Sequence, residues 1–149
     1  MKKYKTFITF LFFLLLFSSN TNGQQKFGYV RAEYILPSGE LILYCSDVID
    51  LSTLDCNNIS RKNNYGTDKS KIEYFSDCIK SWFSKKLKQY NLSQGELGIY
   101  PIVKNYWNNY GCAYDNEDAC FFLSKQKALD YRKYEMETFY KKNAIVFVK

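Results

Sequence analysis

The chain of 149 residues contains no histidine. A Ser-His-Asp triad, a Cys-His dyad and any site that uses imidazole as a metal ligand or general base are therefore excluded. The five cysteines include no C-x-x-C pair, so the spacing typical of a zinc site is missing as well. We expect no metal and no cofactor, and any catalysis would depend on carboxylate, tyrosine, lysine, serine or cysteine groups.

Proline and arginine are scarce. The chain has two prolines, and three arginines against 18 lysines, while Asn, Tyr, Phe and Ile are abundant. This composition is typical of an AT-rich genome and favours a bacterial source. The 14 tyrosines are therefore only weak support for a binding surface.

A long apolar run is missing too. Residues 7–17 form an apolar segment about half as long as the roughly 20 residues that a membrane span requires. Lysines precede this segment, and a polar stretch with Thr21 and Gly23 follows it, which is the layout of a secretory signal peptide. We predict cleavage after Gly23, a single domain over residues 24–149, and a secreted or periplasmic protein without stable membrane insertion.

The net charge of the whole chain, +6, overstates the basicity of the predicted domain. Three lysines lie within residues 1–23, which leaves 18 basic and 15 acidic residues, or +3. The remaining basic residues form no long block. Nucleic acid is therefore not an expected partner.

Cysteine pairing follows from the predicted compartment, because thiols oxidise outside the cytoplasm. All five cysteines lie within the predicted domain, and an odd number leaves one unpaired. We predict disulfides Cys112–Cys120 and Cys45–Cys56. Cys78, at the edge of an apolar helical stripe, is then the free thiol.

Hydrophobic periodicity predicts an α+β fold. Alternation over residues 27–36 predicts a strand, and a turn at Pro37 makes a hairpin with the strand at 41–45. Apolar residues at three- and four-residue spacing predict helices. The expected order is β-β-α-β-(β)-α-β, a single mostly antiparallel sheet of four or five strands with both helices on one face, and the later elements are strands 97–103, 120–123 and 144–148 and helices 71–90 and 125–142.

One segment combines aromatic rings with asparagines. Rings that stack on apolar faces and amides that bond hydroxyl or peptide groups suit sugar or protein ligands. The alternative is that the rings fill the core. The candidate ligand-binding residues in this segment are Tyr106, Trp107, Tyr110 and Tyr114.

Arg132 is a further candidate ligand residue, because it occupies a position on the second helix where an apolar side chain is expected. It could reach a carboxylate, a carbonyl group or a ligand anion, or extend to solvent along the helix surface. Glu96, Glu117 and Asp118 are the carboxylates from which a glycosidase-like pair could be drawn, although no spacing supports one.

These patterns favour a small binding or interaction module, whose ligand is an unidentified glycan or protein, over an enzyme. Two alternatives remain open. One is a hydrolase that uses carboxylates or a lone cysteine, and the other is an inhibitor or immunity-type protein that caps a partner.

Overall fold

A computed structural model describes residues 24–92, 94–105 and 117–149, so the predicted signal peptide lies outside it. The described chain confirms the α+β class, the mostly antiparallel sheet and the approximate order of elements. None of its helices has the length and apolarity to cross a membrane. The elements are β1 (Phe27–Ile35), β2 (Leu41–Ser46), β3 (Ile49–Asp50), α1 (Lys71–Leu87), β4 (Glu96–Ile102), α2 (Lys125–Phe139) and β5 (Ala144–Val148).

Strand β1 is the centre of the sheet. It pairs antiparallel with β2 along one edge and with β4 along the other, and β5 lies parallel to β2. The predicted strand at 120–123 is replaced by a single 3-10 turn, Glu117–Cys120, and isolated bridges of Phe121 and Phe122. Arg31 pairs with Cys45 and Gly28 pairs with Ile49. Three steps along β1 therefore correspond to four steps along the chain from β2 to β3, so the β2–β3 side contains one extra residue. This offset is a β-bulge.

The two helices lie on opposite faces of the sheet, which corrects the prediction that both pack on one face. Successive side chains of a strand point to opposite faces. In β1, Val30 and Ala32 belong to the core that contains Ile79 and Phe83 of α1. Tyr29 belongs to a second core with Ala128 and Met136 of α2, so the sheet is covered on both sides.

A serine caps the start of each helix. Ser70 accepts a hydrogen bond from the backbone N–H of Glu73, and the Glu73 carboxylate accepts one from the backbone N–H of Ser70, which is a capping box. Ser124 caps α2 in the simpler way, through the N–H of Lys127. These caps fix where each helix leaves the sheet.

The disulfide joins Cys56 to Cys78, so the predicted Cys45–Cys56 pair and the predicted free thiol at Cys78 are both wrong. Cys45 lies in β2 and faces the core beneath α2, whereas Cys78 lies on α1 across the sheet. A bond from Cys45 to a loop packed beside α1 would have to cross the sheet. Cys120 is also disulfide-bonded, and Cys112, its predicted partner, lies outside the described residues.

Cys45 is a buried free thiol. Burial raises its pKa to about 12, and the nearby Arg132 guanidinium only partly opposes this. The thiol therefore stays protonated near neutral pH, and a protonated thiol is a poor nucleophile. This placement excludes Cys45 as the lone catalytic cysteine of a hydrolase.

Removing the disulfide by the double substitution Cys56→Ser and Cys78→Ser should lower the free energy of unfolding by about 3 kcal/mol, because the bond closes a loop with a sequence separation of 22. Urea denaturation measures the loss. Peptide mapping that joined Cys56 to Cys45 instead would contradict the assignment.

Alkylation should leave Cys45 unmodified in the native protein at neutral pH and modify it fully in urea. Because folding raises the pKa of this thiol, the unfolded chain ionises first, and stability should fall as the pH rises from 9.0 toward about 12. Rapid native alkylation would contradict the buried placement.

Candidate functional site

Of the predicted ligand-binding residues, only Arg132 can be placed, because Tyr106, Trp107, Tyr110 and Tyr114 lie outside the described residues. Arg132 Nη1 donates a hydrogen bond of 2.6 Å to the Ser46 carbonyl and lies 3.6 Å from an Asp47 carboxylate oxygen. Its guanidinium also lies over the Phe147 ring at 5.4 Å. Arg132 thus binds to the β-bulge of its own sheet, one of the contacts that the sequence allowed.

Arg132 and Phe147 also line a groove of about 500 Å³ between α2 and β5. Leu129 and Met136 make its apolar part, and the Phe147 ring is 53% exposed. Its charged side chains are of both signs, and they are Asp130, Arg132, Lys133 and Glu137. Because the acidic and basic side chains are equal in number, the groove has no strong preference for an anionic or a cationic small ligand.

The predicted carboxylates Glu117 and Asp118 hold the start of α1. A Glu117 oxygen accepts a hydrogen bond from the backbone N–H of Lys71, and Asp118 pairs with the ammonium groups of Lys26 and Lys71. The hydrogen bond from Lys71 is the main cause that lowers the pKa of Asp118. A carboxylate with a lowered pKa is a poor general acid. Glu96 lies elsewhere, at the first residue of β4, where it pairs with Ile35.

A loop over residues 54–70, which we call the tethered loop, presents the most exposed large hydrophobic side chain among the described residues. Tyr65 is 92% exposed. It lies at the tip of a small hairpin whose two arms form an isolated antiparallel β-bridge between Lys62 and Asp68. The side chains of these two residues also form an ion pair, with 2.8 Å between the Lys62 ammonium and an Asp68 carboxylate oxygen. A single ring thus projects from an ordered turn.

The backbone at the tip is held by Asn63. Its side-chain oxygen accepts hydrogen bonds from the N–H groups of Tyr65 and Thr67, and its own N–H donates to the Thr67 carbonyl. Gly66 has φ +78°, a left-handed conformation that favours glycine. These bonds fix the direction in which the Tyr65 side chain leaves the loop.

The base of the tethered loop is fastened to α1 at three points. The Cys56–Cys78 disulfide is covalent, and the Tyr74 hydroxyl donates to the Cys56 carbonyl at 3.2 Å. Lys69 Nζ lies 2.6 Å from a carboxylate oxygen of Asp77. The loop therefore moves with α1 rather than as a free segment.

A polar cavity of about 160 Å³ lies beside the tethered loop. Its lining includes Arg61, whose guanidinium stacks on the Tyr74 ring at 4.8 Å, together with Lys69 and Lys71. The two lysines are paired with Asp77 and Asp118. Asp68 also lines the cavity, so its border contains an acidic side chain as well as basic ones, and both lysines already have carboxylate partners.

A buried polar cluster beneath α2 was not predicted. Tyr29 Oη donates to Glu135 Oε2 at 2.5 Å, and Tyr140 Oη donates to Glu33 Oε1 at 2.5 Å. Arg31 donates to Glu33 and to Tyr140, and its Nε lies 3.9 Å from Glu135 Oε2. Burial, followed by these hydrogen bonds to carboxylates, raises the pKa of both tyrosines.

Aromatic rings enclose the Arg31 guanidinium, which lies 5.0 Å from the Tyr100 ring and 5.1 Å from the Tyr140 ring. Gly98 leaves room for the Tyr100 ring, since a Cβ at residue 98 would lie 2.6 Å from the Tyr100 hydroxyl. The carboxylates of the cluster are bound by its own arginine and tyrosines. It therefore joins α2 to β1 and is not an acid–base site.

The sequence contains only weak signals for the tethered loop and for the polar cluster beneath α2. Asn63 and Gly66 flank Tyr65 as turn-forming residues, within a loop whose length alone indicates a functional or anchored segment. Arg31 and Glu33 fit the solvent-facing positions of an alternating strand, so their burial depends on residues more than 60 positions away. Among the described residues, no group of cysteine and acidic side chains is placed to hold a metal ion.

Comparison with protein-family models, with curated proteins and with solved structures found no match to this chain. Its function must therefore be inferred from the contacts of its own residues.

The substitution Tyr29→Phe should lower the free energy of unfolding by about 1–3 kcal/mol. Glu135 is only 6% exposed, and the substitution removes the hydroxyl that donates a hydrogen bond to its carboxylate. Urea denaturation is the measurement. The matched change Tyr100→Phe keeps the ring over Arg31 and should cost less than about 0.5 kcal/mol. Equal losses in the two variants would contradict the role given to the buried hydroxyl.

Proposed function

We propose that this chain is an exported binding module whose tethered loop recognises a protein partner, with Tyr65 as the main contact. The single observation that carries the proposal is a 92% exposed tyrosine on a turn whose backbone is already hydrogen-bonded. The Cys56–Cys78 disulfide supports an oxidising compartment, secreted or periplasmic.

Energetics favour such a loop as a contact. Tyrosine is among the residue types that dominate binding energy at protein interfaces, and it offers a large area for little loss of rotamer freedom. A loop fixed before binding loses less conformational entropy on association than a mobile one. The disulfide and the Asn63 hydrogen bonds provide that fixation.

Exposure of one apolar side chain is ordinary in a folded protein and supports nothing by itself. Tyr65 differs because the chain around it is fastened at the tip and at the base. A projecting ring of this kind fits a pocket on another protein better than it encloses a small molecule. Protein is therefore favoured over glycan, whose support in the sequence is confined to the aromatic residues of segment 105–114.

The hydrolase alternative has less support. Glu117 and Asp118 are bound at the start of α1, the buried Cys45 stays protonated, and the carboxylates beneath α2 are paired within their own cluster. An inhibitor or immunity-type protein remains a special case of the proposed module, in which the bound partner is an enzyme or toxin.

A photo-crosslinking amino acid in place of Tyr65, in the cells that produce the chain, should join the loop to one partner protein. The same group in place of Phe139, which is 63% exposed on α2, should not join that partner. Mass spectrometry of the crosslinked products identifies the partner.

Binding of the purified partner then tests the contact. Tyr65→Ala should weaken the affinity about 30-fold, the effect of losing a contact worth about 2 kcal/mol, whereas Phe139→Ala should change it less than about threefold. Titration calorimetry gives both constants. Unchanged affinity of the Tyr65→Ala variant would refute the proposed contact.

A further inference from the structure

The two outer strands of the sheet differ in how they are protected. Within the described residues, β4 pairs only with β1 and β5 pairs only with β2, so each has one unpaired edge. Native proteins blunt such edges with proline, charge or bulges, since an open edge can pair with another chain. β4 contains Pro101 and begins at Glu96, whereas β5 has neither a proline nor a charged residue.

The unprotected strand is also uniformly apolar. Its sequence is Ala-Ile-Val-Phe-Val, and the exposed Phe147 ring borders the groove beside α2. Ile145 and Phe147 pair with Leu43 and Cys45 of β2, so both lie on the α2 face of the sheet. An added strand would cover the edge and the Phe147 ring together.

We infer that the edge of β5 binds β5 of a second copy of this chain and makes one continuous sheet across a two-fold axis. A strand that pairs with its own copy across such an axis runs antiparallel to it. A register centred on Val146 places Ile145 opposite Phe147 of the copy and Ala144 opposite Val148. All five residues of β5 then take part.

The length of the strand selects this register. β5 covers residues 144–148, and residues 141–143 form the turn that precedes it. Centred on Val146, the pairing gives every residue of the strand a partner within the strand of the copy, whereas a shift of the centre to Ile145 would set Phe147 opposite Asn143 in the turn. The register centred on Val146 therefore pairs more of the strand than its neighbour does.

The groove supports a second copy as the occupant because its acidic and basic side chains are equal in number. Across a two-fold axis the same surface of each copy faces the other, so a groove with charges of only one sign would repel its copy. The inference does not depend on the tethered loop. A dimer would display two tethered loops and could bind a multivalent partner with avidity.

Sedimentation equilibrium of the purified chain tests the association, and a dimer is expected. Phe147→Lys should raise the dimer dissociation constant at least about tenfold, which corresponds to about 1.4 kcal/mol, while Phe139→Lys, at an aromatic ring outside the groove, should leave it unchanged. A wild-type chain that is monomeric at its highest soluble concentration overturns the inference, as does equal dissociation of both variants.

A crosslink tests the register without weakening the interface. Val146→Cys places the new thiol next to its own copy at the two-fold axis and should give a disulfide-linked dimer under mild oxidation. Ala144→Cys lies two positions from the axis and should remain monomeric on a denaturing, non-reducing gel. Crosslinking of the Ala144→Cys variant instead, or of neither variant, overturns the register.

Discussion

The covalent bond between Cys56 and Cys78 joins the tethered loop to the buried side of α1. Cys78 is itself fixed, because α1 packs through Ile79 and Phe83 onto the β1 side chains of one sheet face. The position of the loop is therefore set by the core rather than by the loop's own few apolar contacts. The hydrogen bonds of Asn63 complete the order at the tip, where Tyr65 meets solvent.

Strand β1 explains why the fold tolerates a long loop on one side. It is paired along both edges and contributes side chains to the cores under both helices, and Leu54 of the loop only adds to the core under α1. Beneath α2 a polar attachment adds to the apolar core, because Tyr29, Arg31 and Glu135 join helix to strand. Such a cluster is costly to break by removing one partner, although it need not add net stability over an apolar core.

Sequence patterns predicted the elements better than their arrangement. Alternation in β1 predicts the residues that face α1, and the apolar stripe of α1 predicts the side of the helix that packs on them. The predicted helix starts, Lys71 and Lys125, agree with the structure. Periodicity does not say on which face of the sheet a helix packs, so the one-face prediction failed. The predicted Cys45–Cys56 pair failed for the same reason, because Cys45 and Cys78 lie on opposite sides of the sheet. Tyr65 could not be selected among 14 tyrosines, since its exposure depends on how the surrounding loop is fastened.

Hydrogen exchange at the loop amides tests most directly whether the proposed binding surface is already formed in the free protein. The N–H groups of Thr67 and Lys69 are bonded to Asn63 and to the Arg61 carbonyl, so they should exchange far more slowly than in an unstructured peptide. Selective reduction of the Cys56–Cys78 bond should remove that protection while leaving β1 protected. Exchange of Thr67 and Lys69 at peptide rates in the oxidised chain would contradict the account of a loop that is ordered in the free protein.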